Sequence, residues 1–421
     1  MGPDIVLLVL SAGVIGAAIG TFTGMVPGIH VNTLAAMMLA AYPAIEDAMS
    51  GMTEPEYVPV LVSCCIMSAS AVHSFVAFVP SAFIGAPDAD EALSVLPAHR
   101  LLLQGEGMVA VRAAAVGSAV GASSALALAI PVQWALLHGA SSVLDGLTLG
   151  ILVVTVAVIV LGSDDRVASL ILALVSGALG FAVMNCDIPC KGIVDGGTLL
   201  FPLLSGLFGI PPLLERTATP RIPEQVDRCE DPVGPWPGLK GVVTGCIAGW
   251  FPGITATAGA SLASAVSKER DPAGFISLTA SIGTVTSVFS VVTLSVSGSG
   301  RSGTSLVVKE IIGDGLAGFC SDAFILILFS IAAASALGYA ITIAAGRLMS
   351  RIVDTVPAEP LADGALVLMS ALVLLLTGPW GLAILAVSAF VGMLPQRFGV
   401  ARVCLASCLL IPAIMTQTGI V

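Results

Sequence analysis

Gly20-Thr-Phe-Thr-Gly24-Met-Val-Pro27-Gly28-Ile29 stands near the start of the chain, and Gly245-Cys-Ile-Ala-Gly249-Trp-Phe-Pro252-Gly253-Ile254 begins 225 residues later, at 245 against 20. Both stretches read G-x3-G-x2-P-G-I. The match continues as His30-Val-Asn32-Thr33 against Thr255-Ala-Thr257-Ala258, which puts a polar residue at the same two positions after each Pro-Gly-Ile. Proline removes a backbone donor and glycine permits the resulting turn. Each stretch sits at the end of an apolar run, so each reads as a broken membrane segment. Such a break is tolerated at membrane depth only where it lines protein or water.

The flanking sequence has the composition this reading needs. Of the 421 residues, 57% are hydrophobic and 10% charged, and mean hydropathy is +1.03, whereas a soluble domain carries about 25% charged residues. Stretches of ~20 uncharged residues, enough to cross a hydrocarbon core about 30 Å thick, recur throughout. Candidates are 5 to 24, 57 to 85, 109 to 137, 147 to 163, 167 to 185, 196 to 213, 273 to 296, 319 to 346, 364 to 378, 380 to 396 and 401 to 420. The fold class is therefore an all-α polytopic membrane protein of roughly ten to twelve segments. The first segment lacks a basic leading region and an A-x-A cleavage site, so it is expected to be a resident helix and not a removed signal peptide.

The stretch 214 to 240, LERTATPRIPEQVDRCEDPVGPWPGLK, is polar and proline-rich and lies mid-chain. It divides a first membrane repeat, 1 to 213, from a second, 241 to 421. No Lys or Arg precedes Arg100, so the loop from Glu46 to Glu56 has no basic residue, while the matching second-half loop has Lys268 and Arg270 and the linker adds Arg216, Arg221, Arg228 and Lys240. Basic residues near membrane ends prefer the cytoplasm. Opposite bias at matching loops is what two inverted-topology repeats would produce, each with Gly/Pro-broken, re-entrant helical hairpins.

Helices restarting after Pro27-Gly28 and Pro252-Gly253 would offer N–H donors and a partial positive charge to an anion. The side chains there, His30, Asn32 and Thr33 against Thr255, Thr257 and Ser261, are neutral hydrogen-bonders, which suits a carboxylate or phosphate that must also be released. The plainer reading is a proline kink in tightly packed helices, since G-x3-G is also a packing motif. A second layer sets Ser68, Ser70, His73 and Ser74 against Ser281, Thr284, Thr286 and Ser287. Hydroxyls with freed carbonyls suit a sodium ion, and His73 suits a proton; alternatively the hydroxyls bond back to their own helices. A further matched pair, Gly85-Ala-Pro87-Asp88-Ala-Asp90-Glu91 and Gly298-Ser-Gly300-Arg301-Ser302-Gly303, reads as the second break of each half. Asp88 and Arg301 are then either pathway charges, with Arg301 attracting an anion, or solvated loop residues.

Other functions find little support. The net charge of −11, from 27 acidic and 16 basic residues, leaves no basic face for nucleic acid. Cys186 with Cys190 and Cys404 with Cys408 are spaced i, i+4, but none of the four histidines (30, 73, 99 and 138) stands at ligand spacing to them, so packing and not metal binding is expected. There is no G-x-S-x-G, no H-E-x-x-H and no P-loop. An enzyme built on His30 or His73 would lack a nucleophile, a metal set or a carboxylate pair. No catalytic residue and no cofactor is expected.

The motifs resemble a known family, the TctA-type large membrane subunits of tripartite tricarboxylate transporters and their stand-alone archaeal relatives. The resemblance is carried by Gly24-Met-Val-Pro27-Gly28 and Gly249-Trp-Phe-Pro252-Gly253. Further likeness lies in the block from Val79-Pro80 to Gly107 with Leu96-Pro97 and Gln104-Gly105, in Gly392-Met-Leu-Pro395-Gln-Arg-Phe-Gly-Val-Ala-Arg402, and in Leu410-Ile-Pro412. It implies a secondary transporter of small organic anions in the di- or tricarboxylate class, multi-pass in the plasma membrane and coupled to a sodium or proton gradient. Substrate would meet Pro27, Gly28, His30, Asn32, Thr33, Pro252, Gly253, Thr255, Thr257 and Arg301; the coupling ion would meet Ser70, His73, Ser74, Thr284, Thr286 and Ser287. Implied partners are a small membrane subunit and an extracytoplasmic binding protein, which the stand-alone form leaves open. The chain departs from the family by being shorter, by His30 where glycine is usual, and by the absence of an Asn-rich signature over Ser281 to Ser287. The alternative kept open is a lipid-carrier translocase, whose paired hairpins would cradle a polyprenyl phosphate headgroup.

Overall fold

The computed structural model describes residues 3–26, 31–51, 53–85, 93–186, 192, 199–214, 222–228, 230–251, 256, 259–260, 263, 271–298, 302–353 and 358–419. Among these residues all regular structure is helical. The first half contains α1 (Pro3–Met25), α2 (Val31–Ala40), α3 (Tyr42–Met49), α4 (Val58–Val76), α5 (Phe78–Ile84), α6 (Val95–Leu103), α7 (Gly107–Ala135), α8 (Ser141–Leu161), α9 (Arg166–Asn185), α10 (Leu200–Leu204) and α11 (Ile210–Leu214). The second contains α12 (Trp236–Trp250), α13 (Pro272–Ser297), α14 (Gly303–Ile312), α15 (Asp322–Val353), α16 (Ala358–Phe398) and α17 (Ser407–Gln417).

Seven helical runs among the described residues are long and apolar enough to cross a membrane. The longest, Gly107–Leu161, breaks at His138 and Gly139, where Gly139 takes φ 109°, and so holds the two segments expected at 109 to 137 and 147 to 163. α16 breaks in the same way at Gly378, φ 73° and ψ −166°, just before Pro379, and so holds the segments at 364 to 378 and 380 to 396. Shorter apolar helices cover Leu200–Gly209 and Arg402–Gln417. The chain is an all-α polytopic membrane protein.

The distribution of polar groups is that of a protein dissolved in lipid. Large apolar side chains such as Leu7, Val14, Ile15 and Phe22 of α1 are more than half exposed, while hydroxyls such as Ser63, Ser68, Ser277, Ser281 and Thr293 are buried. In the apolar stretch of the run containing α4, 89% of residues are buried, and in that of α13 78%, against 39% for α1. α4 and α13 are therefore the inner helices.

Small residues bring the outer helices close to these two. A Cβ at Gly16 of α1 would collide with the Cys65 carbonyl oxygen and the Ser68 side chain, and one at Gly241 of α12 with the Leu278 carbonyl oxygen and the Ser281 side chain. Gly24 meets Val76, and Gly249 meets Phe289. The two contacts of α1 recur on α12 at the 225-residue offset of the sequence motif, and their partners recur 213 residues apart, at 65 and 278 and at 76 and 289. The same spacing of 213 relates Gly85 and Gly298, both left-handed at φ 72° and 62°, which end α5 and α13. The second matched break of the sequence is thus a pair of glycine-capped helix ends.

Helix directions follow from which residues touch. Along α1 and α4, and along α12 and α13, the contacts advance together, so each pair runs parallel. α7 runs parallel to α13, since Gly117 meets Ser277, Gly121 meets Ser281 and Gln133 donates to Ser295 at 3.0 Å. α15 runs parallel to α4, with Ser330 and Ser68 sharing a 2.7 Å hydrogen bond and Gly338 against Phe75. Yet α7 and α15 are antiparallel, because Cys320 N–H donates to Gln133 at 3.1 Å at one end while Gly346 meets Val111 at the other. Hence α1, α4 and α15 run one way and α12, α13 and α7 run the other, and each half's long helix packs on the other half's inner helix.

Candidate functional site

The two helices that carry the Pro-Gly motifs end alike. Val26 N–H donates to the Phe22 carbonyl at 3.1 Å, and Phe251 N–H to the Ile247 carbonyl at 3.0 Å. These are matched positions at the 225-residue offset. The residue before a proline is pushed out of helical conformation, which is what Pro27 and Pro252 impose; Phe251 is extended, at φ −84° and ψ 129°. Of the expected substrate residues, Pro27, Gly28, His30, Pro252, Gly253, Thr255, Thr257 and Arg301 lie outside the described residues, as do Ser261 and Asp88. Thr33 is described only in its backbone, within α2.

Asn32, in the first turn of α2, reaches across to the other half. Its Oδ1 accepts from Thr304 N–H at 2.9 Å, and a Cβ at Gly303 would fall 2.7 Å from Asn32 Cγ. The first N–H groups of a helix have no intrahelical partner, and Asn32 supplies one to α14. Ser302 and Ser305 complete the cap reciprocally, each side chain bonding the other's backbone N–H, at 2.9 and 3.2 Å. Helix α2, which follows Pro27-Gly28 in the chain, is thereby fastened to α14 of the second half.

The hydroxyl layer divides into two kinds. Thr284 donates to the Ala280 carbonyl of its own helix at 3.0 Å, while Thr286 donates to the Ile282 carbonyl of its own helix at 2.8 Å and also reaches the Gly245 carbonyl of α12 at 3.4 Å. Ser74 donates to the Ser70 carbonyl at 3.1 Å, but its Oγ also lies 3.2 Å from Ser287 Oγ. Ser74 and Ser287 are 213 residues apart, the spacing of matched positions, so equivalent side chains of the two halves touch. His73 is buried, with Nδ1 3.0 Å from Thr23 Oγ1, and Thr23 in turn donates to the Gly20 carbonyl at 3.2 Å. Buried imidazole, the motif helix α1 and the inner helix α4 are thus joined in one chain of hydrogen bonds. Among the described residues, no three His, Cys, Asp or Glu side chains converge as metal ligands would.

Sequence reading passed over a charged cluster. Arg112 on α7 is buried and holds Asp227 of the linker through two bonds, Nε to Oδ1 at 2.8 Å and Nη2 to Oδ2 at 3.1 Å. Arg347 on α15 bonds the same Oδ2 through Nε at 2.9 Å. The linker is laid against the start of α7 by Val226 N–H to the Gly105 carbonyl at 2.9 Å and by Gly107 N–H to Gln225 Oε1 at 2.8 Å. At the opposite end of the α7–α15 pair, Gln133 donates to Ser295 Oγ and to the Gly318 carbonyl, at 3.0 and 3.2 Å. Arg112 is the one charge in the segment 109 to 137, and a lone charge inside a membrane segment is a signal in its own right.

The profile of the Tripartite tricarboxylate transporter TctA family matches residues 10–406. A protein of Methanocaldococcus jannaschii described as uncharacterized protein MJ1079 is 29% identical over 302 residues, covering 70% of this chain and 71% of that protein. No solved structure gives a significant match.

Proposed function

Because this chain belongs to the tripartite tricarboxylate transporter TctA family, and is thus a tricarboxylate transporter component, we propose that it is the part that carries a small di- or tricarboxylate through the plasma membrane, driven by a sodium or proton gradient. The observation that carries the reading is the matched ending of α1 and α12 before Pro27 and Pro252, together with the contact of the equivalent Ser74 and Ser287. Equivalent side chains that touch, and equivalent helices that run in opposite directions, support a pseudo-two-fold axis in the membrane plane relating the halves. The two halves are then inverted-topology repeats with a site between them near mid-membrane.

In this reading the anion is held by N–H groups after Pro27-Gly28 and Pro252-Gly253 and by His30, Asn32, Thr33, Thr255, Thr257 and Arg301. Neutral donors at helix starts favour a carboxylate without trapping it. Ser70, Ser74, Thr284, Thr286 and Ser287 serve a sodium ion, or His73 a proton. Alternating access turns about the axis at Ser74 and Ser287. A small membrane subunit and an extracytoplasmic binding protein are its partners.

The test is the thermal stability of detergent-purified protein against di- and tricarboxylates, amino acids and phosphates, with and without sodium. Sodium-dependent stabilisation by a carboxylate is expected, weakened in Thr257→Ala and in Asn32→Asp, which keeps the acceptor for Thr304 but removes the amide donors. Silence toward every soluble anion, joined to absence of uptake into liposomes under any cation gradient, sinks the reading; stabilisation by a polyprenyl phosphate alone points to a lipid-carrier translocase.

A further inference from the structure

The chain has four tryptophans. Trp134, Trp236 and Trp380 are 53%, 68% and 57% exposed, whereas Trp250 is 3% exposed. The exposed three suit the membrane boundary, where the amphipathic indole ring is favoured. Trp250 does something else. Its Nε1 is buried and has no hydrogen-bond partner among the described residues.

An indole nitrogen only donates, and a donor buried without an acceptor forfeits its hydration for nothing. Phenylalanine would fill nearly the same space without that cost. Seven of the other buried groups without partners are Ser or Thr hydroxyls, which on a helix can rotate toward their own backbone carbonyls; a rigid indole cannot. The location is equally specific. Trp250 is the last residue of α12, two before Pro252, where the matched α1 ends in Met25. Nearby carbonyls are already taken: Gly249 accepts from Thr293 Oγ1 at 2.9 Å, and Ile247 from Phe251 N–H at 3.0 Å. What remains unsatisfied among the described residues just before Pro252-Gly253 is a donor.

We infer that Trp250 Nε1 is a substrate-binding donor, giving a charge-assisted hydrogen bond to a carboxylate oxygen of the transported anion. The inference rests on the transport reading above and adds to it a residue outside the two polar positions that follow each Pro-Gly-Ile. It also makes the site asymmetric: α12 ends in a donor where the matched α1 ends in the thioether of Met25, so one carboxylate of a di- or tricarboxylate is bound more tightly by the second half.

Trp250→Phe tests this, with two readouts on purified protein in sodium. Titration of citrate and succinate should shift the emission of wild-type protein saturably and leave Trp250→Phe without the shift. The carboxylate midpoint for stabilisation should rise about ten-fold or more in the variant, the worth of one charge-assisted hydrogen bond. Stability without substrate should be unchanged or higher, since an unpaired buried donor has been removed. A variant that keeps the wild-type midpoint overturns the inference, and so does one that is less stable or fails to fold without substrate, because the ring is then structural. Wild-type protein that binds no carboxylate overturns the transport reading and this inference with it.

Discussion

Replacing Asp227 with alanine isolates the tie between the linker and the two long helices. The Arg112 side chain is 8% exposed and Asp227 20% exposed, so the substitution takes two hydrogen bonds from a guanidinium largely shut off from water. A further acid, Asp231, is 4.0 Å from Nη1 and 51% exposed, and offers partial compensation. Removing one partner of a buried pair costs about 3–5 kcal/mol; allowing for Asp231, about 2–4 kcal/mol is expected here. The Arg347 side chain is 48% exposed, and an exposed pair is worth about 0–1 kcal/mol. In detergent, at roughly 2 °C per kcal/mol for a chain of this length, Asp227→Ala should lower the melting midpoint by ~4–8 °C and Arg347→Gln by no more than ~2 °C. Arg112→Leu combined with Asp227→Ala should recover most of the loss, since no charge is then left buried. Two results refute the reasoning: a midpoint for Asp227→Ala within ~1 °C of wild type, or an equal fall for Arg347→Gln.

Three further outcomes follow from the geometry. Gly241→Ala places its Cβ 2.5 Å from the Leu278 carbonyl oxygen and should lose monodispersity on size exclusion, while Gly150→Ala, with nothing within 4 Å, should leave the elution profile unchanged. Ser74→Ala combined with Ser287→Ala removes the hydroxyl pair at the proposed axis and should abolish sodium dependence of carboxylate stabilisation, with the sodium-free melting midpoint within ~2 °C of wild type. His99 on α6 is held below the usual imidazole range by burial, so the unfolded chain takes up the proton first as pH falls through about 6.5. Stability from the neutral ring is present above that pH and lost below it, and the difference in melting midpoint between pH 7.5 and 5.5 should shrink in His99→Gln.

Much of the architecture was legible because it is written twice. The motif at 20 and 245 marked two helices with one packing face and one ending, and the sets led by Ser74 and Ser287 held a pair that meets. Gly85 and Gly298 marked two helix ends. What stayed hidden was which apolar helix lies against which. α7 packs on α13 and α15 on α4, but in lipid a helix can be apolar on every side, and periodicity then names no partner. Asn32 read as a hydrogen-bonder without showing that its oxygen belongs to Thr304, 272 residues on. Asp227 lay among linker charges that spoke only for orientation, and pairing it with Arg112 needs a fold that brings together residues 115 apart.

Between helices in lipid there is little hydrophobic drive, so close approach and hydrogen bonds must hold the bundle. The chain applies these to different parts. The antiparallel pair α7 and α15 is fastened at both ends, by Gln133 to Gly318 and Cys320 at one and by Asp227 to Arg112 and Arg347 at the other. Sliding one of these helices along the other would break both ties together, so the pair resists shear and forms a frame. The Pro-Gly ends are held differently, α1 on α4 and α12 on α13, largely through glycine faces where backbone meets backbone. Hydrogen bonds cross these faces as well: Ser281, Thr286 and Thr293 of α13 donate to the Gly238, Gly245 and Gly249 carbonyls of α12 at 2.7, 3.4 and 2.9 Å, and His73 of α4 meets Thr23 of α1 at 3.0 Å, so α1 and α12 move with the inner helices they lie on. The helices that lead into the two breaks are thus tied to the inner helices, and the two inner helices meet each other through the equivalent hydroxyls of Ser74 and Ser287.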